Sequence, residues 1–228
     1  VAKRWSKRIR RRLQSTKARA RRQKSNWERN WRVESERPVE DLSTVVPDEL
    51  KLAVAEGWLP AGSRVMDVGS GRGQISAWLA EQGFSVLGVD LADAATELAL
   101  RHYSALAPRL EFRTVDVCLD RVELGPFDAF LDRGCFQSVP DRPRYVENVL
   151  RWSKPEARLL LFHRVDDRDV GSGDLSTLER RLEQQVRRSF ERHFEIEKAC
   201  PTTVPMSRSA GPIPRVTKPG MVFWMIRR

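Results

Sequence analysis

Asp67 stands two residues ahead of three glycines at alternate positions, in the segment Arg64-Val65-Met66-Asp67-Val68-Gly69-Ser70-Gly71-Arg72-Gly73-Gln74. A strand-like run, a glycine turn and a helix-like run let backbone N–H groups approach a ligand closely. The dinucleotide fingerprint G-x-G-x-x-G needs a last glycine for helix packing, and Gln74 occupies that place. The Asp67 carboxylate repels a pyrophosphate and suits a ligand that brings a cation to the turn. A second acid, Asp90, ends the β-rich run Ser85-Val86-Leu87-Gly88-Val89, about 20 residues past the first glycine, where such folds hold ribose hydroxyls. A third, Asp116, follows the apolar run from Leu110 to Val115. One acid at a strand end is as readily a helix cap or a loop charge. Three in register after three successive strands make that bland reading a poor account.

The D-x-G-x-G-x-G turn resembles the glycine motif of class I S-adenosylmethionine-dependent methyltransferases, whose cofactor carries an ammonium and a sulfonium and no phosphate. The resemblance implies that Asp67, Gly69, Ser70 and Gly71 hold the cofactor, that Asp90 with Leu91 takes its ribose, and that Asp116 with the Val117 N–H meets the adenine edge. The next strand ends in Asp132-Arg133-Gly134-Cys135, not in the Asn/Asp-Pro-Pro-Tyr-like tetrad with which many amino-methylating nucleic-acid enzymes stack a flipped base. From about Asn26 onward the chain is similar to thiopurine methyltransferase and its thiol- and tellurite-methylating relatives. They share an Asp-Arg-Gly at this strand end and a W-x-x-x-W pair, here Trp27-Glu28-Arg29-Asn30-Trp31. That likeness implies Trp27 and Trp31 as a cofactor lid, Asp132 beside the cofactor, and Arg133 between cofactor and methyl acceptor. The Trp pair can equally be hydrophobic anchoring, and Arg133 can instead pair with Asp132 or Asp128. His163, ending the fifth strand, is the best-placed imidazole for a hydroxyl acceptor, or a half-buried strand residue without chemistry. His102 and His193 fall on helices and read as structural.

Alternation of strand and helix patterns positions these residues. Strands are expected over 64–68, 85–89, 110–115, 127–132, 158–164, 194–198 and 221–227, and helices over 47–57, 74–82, 94–107, 142–152 and 175–193. The last helix carries a capping signature at Ser176 to Glu179. Two consecutive strands at the end, joined by a Pro-rich connector over 201–220, complete a Rossmann-like, seven-stranded, mostly parallel α/β sheet with helices on both faces.

The net charge of +10 is concentrated at the N-terminus: residues 1–25 hold twelve of the 41 Lys and Arg and no acid, which leaves 29 against 31 Asp and Glu. The chain divides into a basic helical arm (1–25), a lead-in segment with the cofactor lid (26–63) and the Rossmann-like domain (64–228). Trp5, Ile9 and Leu13 give the arm a narrow apolar stripe. Such an arm can lie on an anionic membrane surface, grip a phosphate backbone, dock on its own domain, or stay solvated. No 18-residue apolar run or signal-peptide core is present. The odd number of cysteines, Cys118, Cys135 and Cys200, offers no zinc pattern and suits a reducing cytoplasm. The expected function is methyl transfer to a thiol or hydroxyl of a small molecule, with S-adenosylmethionine as cofactor and no metal. The alternatives are an RNA or ribosome-associated methyltransferase recruited by the arm, and a cofactor-binding module without catalysis.

Overall fold

The computed structural model describes residues 18, 20–33, 42–119, 122–165, 174–205 and 217–228. Helix α1 (20–33) is followed by α2 (Leu42–Val45) and α3 (Asp48–Ala55). The alternating part runs β1 (Arg64–Val68), α4 (Gln74–Glu81), β2 (Ser85–Asp90), α5 (Asp93–Tyr103), β3 (Leu110–Thr114), β4 (Phe127–Arg133), α6 (Arg142–Trp152), β5 (Ser153–Arg164) and α7 (Leu175–Phe190). Strands β6 (Phe194–Pro205) and β7 (Thr217–Arg227) close the chain. The seven strands lie in the order β3-β2-β1-β4-β5-β7-β6. The first five are parallel, and β7 is antiparallel to both of its neighbours. This is the expected sheet, with β1 and α6 at the predicted bounds.

Strand periodicity divides the core into two layers. Met66, Val68, Phe130, Leu159 and Leu161 pack with Tyr145, Trp152, Leu178, Val186 and Phe190 of α6 and α7. Their neighbours Val65, Ala129, Leu131, Leu160 and Phe162 pack with Leu50 of α3, Leu79 of α4 and Ala99 of α5. In α7 the buried residues Leu178, Leu182, Val186 and Phe190 recur every fourth position, the stripe of an amphipathic helix.

Three local expectations are corrected. The cap of α7 is Asp174, whose carboxylate accepts from Thr177 N at 2.9 Å and from both hydroxyls at 176 and 177, so the cap precedes the Ser176 signature. Strand β5 begins at Ser153 rather than 158, because a register shift between the Phe127 and Ala129 pairings places residues 154–157, Pro155 among them, opposite Asp128 alone; proline is tolerated at such irregularities. The described ends of the connector over 201–220, residues 201–205 and 217–220, are strand. Pairing continues from Pro201↔Met221 to Pro205↔Thr217, while β5 stops at the Arg164↔Gly220 pair. Beyond Gly220, β6 and β7 therefore extend as a two-stranded arm. Its prolines are compatible with β6 being a sheet edge. The boundary drawn at residue 25 falls inside the continuous α1. The stripe Trp5, Ile9 and Leu13 lies outside the described residues.

Candidate active site

The site forms where β1, β2 and β4 end. Gly69, Gly71 and Gly73 all take left-handed backbone angles, with φ of 76°, 55° and 78°, which side chains other than glycine rarely accept. The turn is tied to β2: the amides of Gly69 and Ser70 donate to Val89 O at 2.8 and 2.9 Å, and Gly71 N donates to Asp90 Oδ2 at 3.0 Å. The other Asp90 oxygen accepts from Ala92 N at 2.9 Å. Space at the turn is tight. A Cβ on Gly69 would lie 2.8 Å from Cys135 Cβ, and one on Gly71 would lie 2.6 Å from Cη2 of Trp31. Trp31, on α1, thus covers the second glycine of the motif. Trp27 is half-buried on the same helix, one turn earlier.

Three buried carboxylates surround this turn. Asp67 is 3 % exposed and accepts from Ser76 Oγ of α4 at 2.6 Å. Burial pushes its pKa up to about 6, against the opposing pull of Ser76 and of the Arg133 guanidinium. Asp90 is likewise raised by burial to about 6, with its backbone hydrogen bonds opposing. Asp132 is raised by burial to about 7. It has no exposed surface, and its oxygens accept from Cys135 N at 2.8 Å, Phe136 N at 2.9 Å and the Tyr145 hydroxyl at 2.6 Å. Asp132 therefore shapes the loop after β4 and fastens it to α6.

Arg133 pairs with neither Asp132 nor Asp128. Asp128 instead meets Lys154 Nζ at 2.6 Å and Arg64 N at 2.9 Å. The Arg133 guanidinium donates to Val45 O at 3.2 Å, and burial draws its pKa down while Asp67 and Glu49 hold it up. Glu49 also accepts a short hydrogen bond from Thr202 Oγ1 of β6. Arg133 thus lies in the electrostatic field of Asp67 and Glu49 while its hydrogen bond goes to the Val45 carbonyl. Asp116 accepts from Cys118 N at 2.9 Å and Leu119 N at 3.1 Å, turning the chain so that Val117 is buried beside it. Leu91 is half-buried between Asp90 and α5.

His163 is 4 % exposed. Its Nδ1 lies 3.0 Å from Arg164 O, and its ring stands edge-on to Phe136 with centroids 5.9 Å apart. Phe136 belongs to the apolar layer under α6 and α7, so the imidazole is set into the core behind the loop. Glu28, Ser76, Glu49, Thr202 and Tyr145 carry parts of this arrangement without a motif of their own. Only Glu28 had a sequence neighbour, Trp27, that drew attention to it. Among the described residues no group of three or more His, Cys, Asp or Glu is placed to hold a metal ion, and no helix is long and apolar enough to cross a membrane.

Residues 65–156 match the methyltransferase domain family. A ubiquinone biosynthesis O-methyltransferase of Paracidovorax citrulli is 33 % identical over 129 residues, which is 55 % of this chain and 52 % of that protein. The chain thus spans about half the length of this curated relative. A solved structure describing the conversion of a disulfide bond into a thioacetal group during echinomycin biosynthesis superposes with a TM-score of 0.68 at 18 % identity, covering 90 % of this chain and 92 % of the other. A S-adenosylmethionine-dependent methyltransferase of Methanosarcina mazei gives 0.60 at 21 % identity, covering 76 % and 96 %. The fold is the Rossmann-like methyltransferase fold, and residues 65–156 resemble the methyltransferase domain family.

Proposed function

We propose that the chain is a methyltransferase that uses S-adenosylmethionine to methylate a hydroxyl or thiol of a small molecule. The observation that carries this reading is the Gly69–Gly71 turn, held open by left-handed glycines, tied to Asp90 and roofed by Trp31. Two features support the fit of the cofactor. The backbone at Gly71 is approached so closely that no side chain fits there, and the buried acids Asp67 and Asp90 suit a ligand with an ammonium group and ribose hydroxyls. In this reading the turn and Asp67 take the amino-acid end, Asp90 and Leu91 the ribose, and Asp116 with the Val117 amide the adenine, while Trp27 and Trp31 exclude water. Bound S-adenosylmethionine supplies a methyl group already activated on a sulfonium.

The chain's own residues then have to position the acceptor and keep it anionic. Arg133, half-buried and within electrostatic reach of Asp67 and Glu49, is the fixed cation that favours an oxyanion or thiolate in a water-poor site. His163, turned toward Phe136 and the Arg164 carbonyl, supports the loop rather than the acceptor proton. A small acceptor accords with α1 lying across the strand ends, anchored by Gln23 Nε2 to Ser138 O at 2.6 Å on one side and by Glu28 to α5 on the other. Calorimetry with S-adenosylhomocysteine, followed by turnover assays on phenols, catechols and thiols, tests the reading. Absence of S-adenosylhomocysteine binding by the folded protein would overturn it.

A further inference from the structure

Helix α5 starts three residues past Asp90 and lacks a cap of its own. Its N-cap residue is Ala92, which has no side-chain acceptor, so the first amides of the helix need partners from elsewhere. They find them on α1. Glu28 Oε1 accepts from Asp93 N at 2.6 Å, and Oε2 accepts from Ala94 N at 3.1 Å. One turn earlier on α1, Lys24 Nζ meets Asp93 Oδ2 at 2.9 Å. On the same helix, three residues after Glu28, Trp31 lies over Gly71. The carboxylate that caps α5 and the indole that covers the glycine turn are therefore carried by one rigid element.

We propose that Glu28 is the latch of the cofactor lid: by capping α5 across the site, it makes closure of α1 over Gly71 and ordering of the Asp90–Ala94 corner a single event. The inference rests on the cofactor reading above, and it makes Glu28 a positioning residue, not a catalytic one. An uncapped helix end is an open demand for an acceptor. A charged carboxylate also suits the positive end of the helix dipole better than a neutral group does. Asp90 feels the same carboxylate, since Glu28 adds to the upward push on its pKa. The ribose corner thus registers through both backbone and charge whether α1 is docked. Asp90 Oδ1 holds Ala92 N, so the strand end, the helix start and the lid share one hydrogen-bonded corner.

The test compares Glu28→Ala and Glu28→Gln with wild type by hydrogen exchange on the ligand-free full chain and by the dissociation rate of S-adenosylhomocysteine. The latch predicts that residues 20–33 and the amides of Asp93 and Ala94 lose protection together in Glu28→Ala. The ligand should leave about 3- to 30-fold faster, the range expected for a lost cap, and Glu28→Gln should fall between the two. A second variant separates latching from simple capping. Ala92→Ser on the Glu28→Ala background gives α5 a local cap, so protection of Asp93 and Ala94 should return while α1 protection and slow release do not. Unchanged exchange in α1, or full recovery of slow release by Ala92→Ser, would overturn the proposal. Failure of wild type to bind S-adenosylhomocysteine would overturn the cofactor reading alone, because the exchange comparison still reads the coupling of α1 to α5.

Discussion

Asp90 and Gly71 meet across the end of the sheet, the carboxylate Oδ2 accepting the glycine amide at 3.0 Å. One acid thereby fixes the second glycine of the motif to the end of β2, while its other oxygen fixes Ala92 at the approach to α5. The Asp90–Ala92 corner and the glycine turn are a single hydrogen-bonded unit.

Asp90→Ala should accordingly do more than remove a ribose acceptor, since it also leaves two backbone amides without their partner. The expected loss is about 1–3 kcal/mol of S-adenosylhomocysteine binding, seen by calorimetry as at least a several-fold weaker affinity. Unchanged affinity in a folded variant would remove Asp90 from the cofactor site.

The buried acids predict the pH dependence of stability. Burial raises Asp67 and Asp90 to about 6 and Asp132 to about 7, all above the ordinary 3.8. Through that interval the folded chain binds more protons than the unfolded chain, so these groups lower stability as pH rises. Asp67→Asn removes one such titration and keeps an acceptor for Ser76. Relative to this variant, ligand-free wild type should lose stability between about pH 4 and pH 6 and stay level above that range, measured by denaturant titration. A difference independent of pH would mean that Asp67 ionises in the fold as easily as in water.

The sheet was legible because strand and helix periodicities alternate cleanly and because β1, β2 and β4 end in acids. Asp132 was only half legible for a physical reason: a strand-end acid can face a ligand or can cap the following loop, and the amides of Cys135 and Phe136 with the Tyr145 hydroxyl, which show the capping, leave no local pattern. The same holds for Glu28. A carboxylate that caps a helix 65 residues further along the chain leaves no local pattern, whereas Ala92 at the N-cap position of α5 is its indirect trace. Pro155 and Pro201 read as breaks because local propensity is blind to a bulge and to an edge strand.

Gly71→Ala should reveal the contact with Trp31. An added Cβ meets the indole at 2.6 Å and sits at a φ of 55°, a left-handed conformation that costs a non-glycine residue roughly 1–2 kcal/mol. Both Gly71→Ala and Trp31→Ala should weaken S-adenosylhomocysteine binding. The double variant should weaken it by less than the two effects combined, since the indole can be displaced only once. Additive effects would show that Trp31 and Gly71 act on the cofactor separately.

Truncations locate the function of the arm. Removal of residues 1–17 leaves α1 with Gln23, Lys24, Glu28 and Trp31 in place, so cofactor affinity and small-acceptor turnover should persist. Removal through residue 33 also takes away these anchors, and cofactor affinity should fall about tenfold or more, the scale of losing one helix cap plus an aromatic cover. RNA binding, if detected at low salt, should depend steeply on salt and vanish with residues 1–17. Turnover on RNA that is lost with that first truncation, with little turnover on any small acceptor, would instead favour recruitment by the arm as the function.

Arg133 and His163 separate acceptor chemistry from packing. If Arg133 stabilises an anionic acceptor, Arg133→Ala should lower kcat strongly while S-adenosylhomocysteine affinity falls less, because the glycine turn, Asp67 and Asp90 remain. Arg133→Lys should recover only part, since a point charge replaces a planar fork that reaches Val45 O. His163→Ala should behave differently. The imidazole is packed edge-on against Phe136, and deleting it leaves a cavity in the layer beneath α6 and α7, so the expected effect is a loss of about 1–3 kcal/mol in stability. Turnover per folded molecule should drop less than about tenfold, whereas removal of a general base costs about 10²–10⁴-fold. The pH–rate profile completes the comparison. With a thiol or acidic phenol, kcat should rise with ionisation of the acceptor in wild type and in His163→Ala alike, and Arg133→Ala should move that rise to higher pH as the acceptor loses its countercharge. A loss of about a hundredfold or more in His163→Ala, with Arg133→Ala near wild type, would shift the acceptor chemistry from β4 to the end of β5.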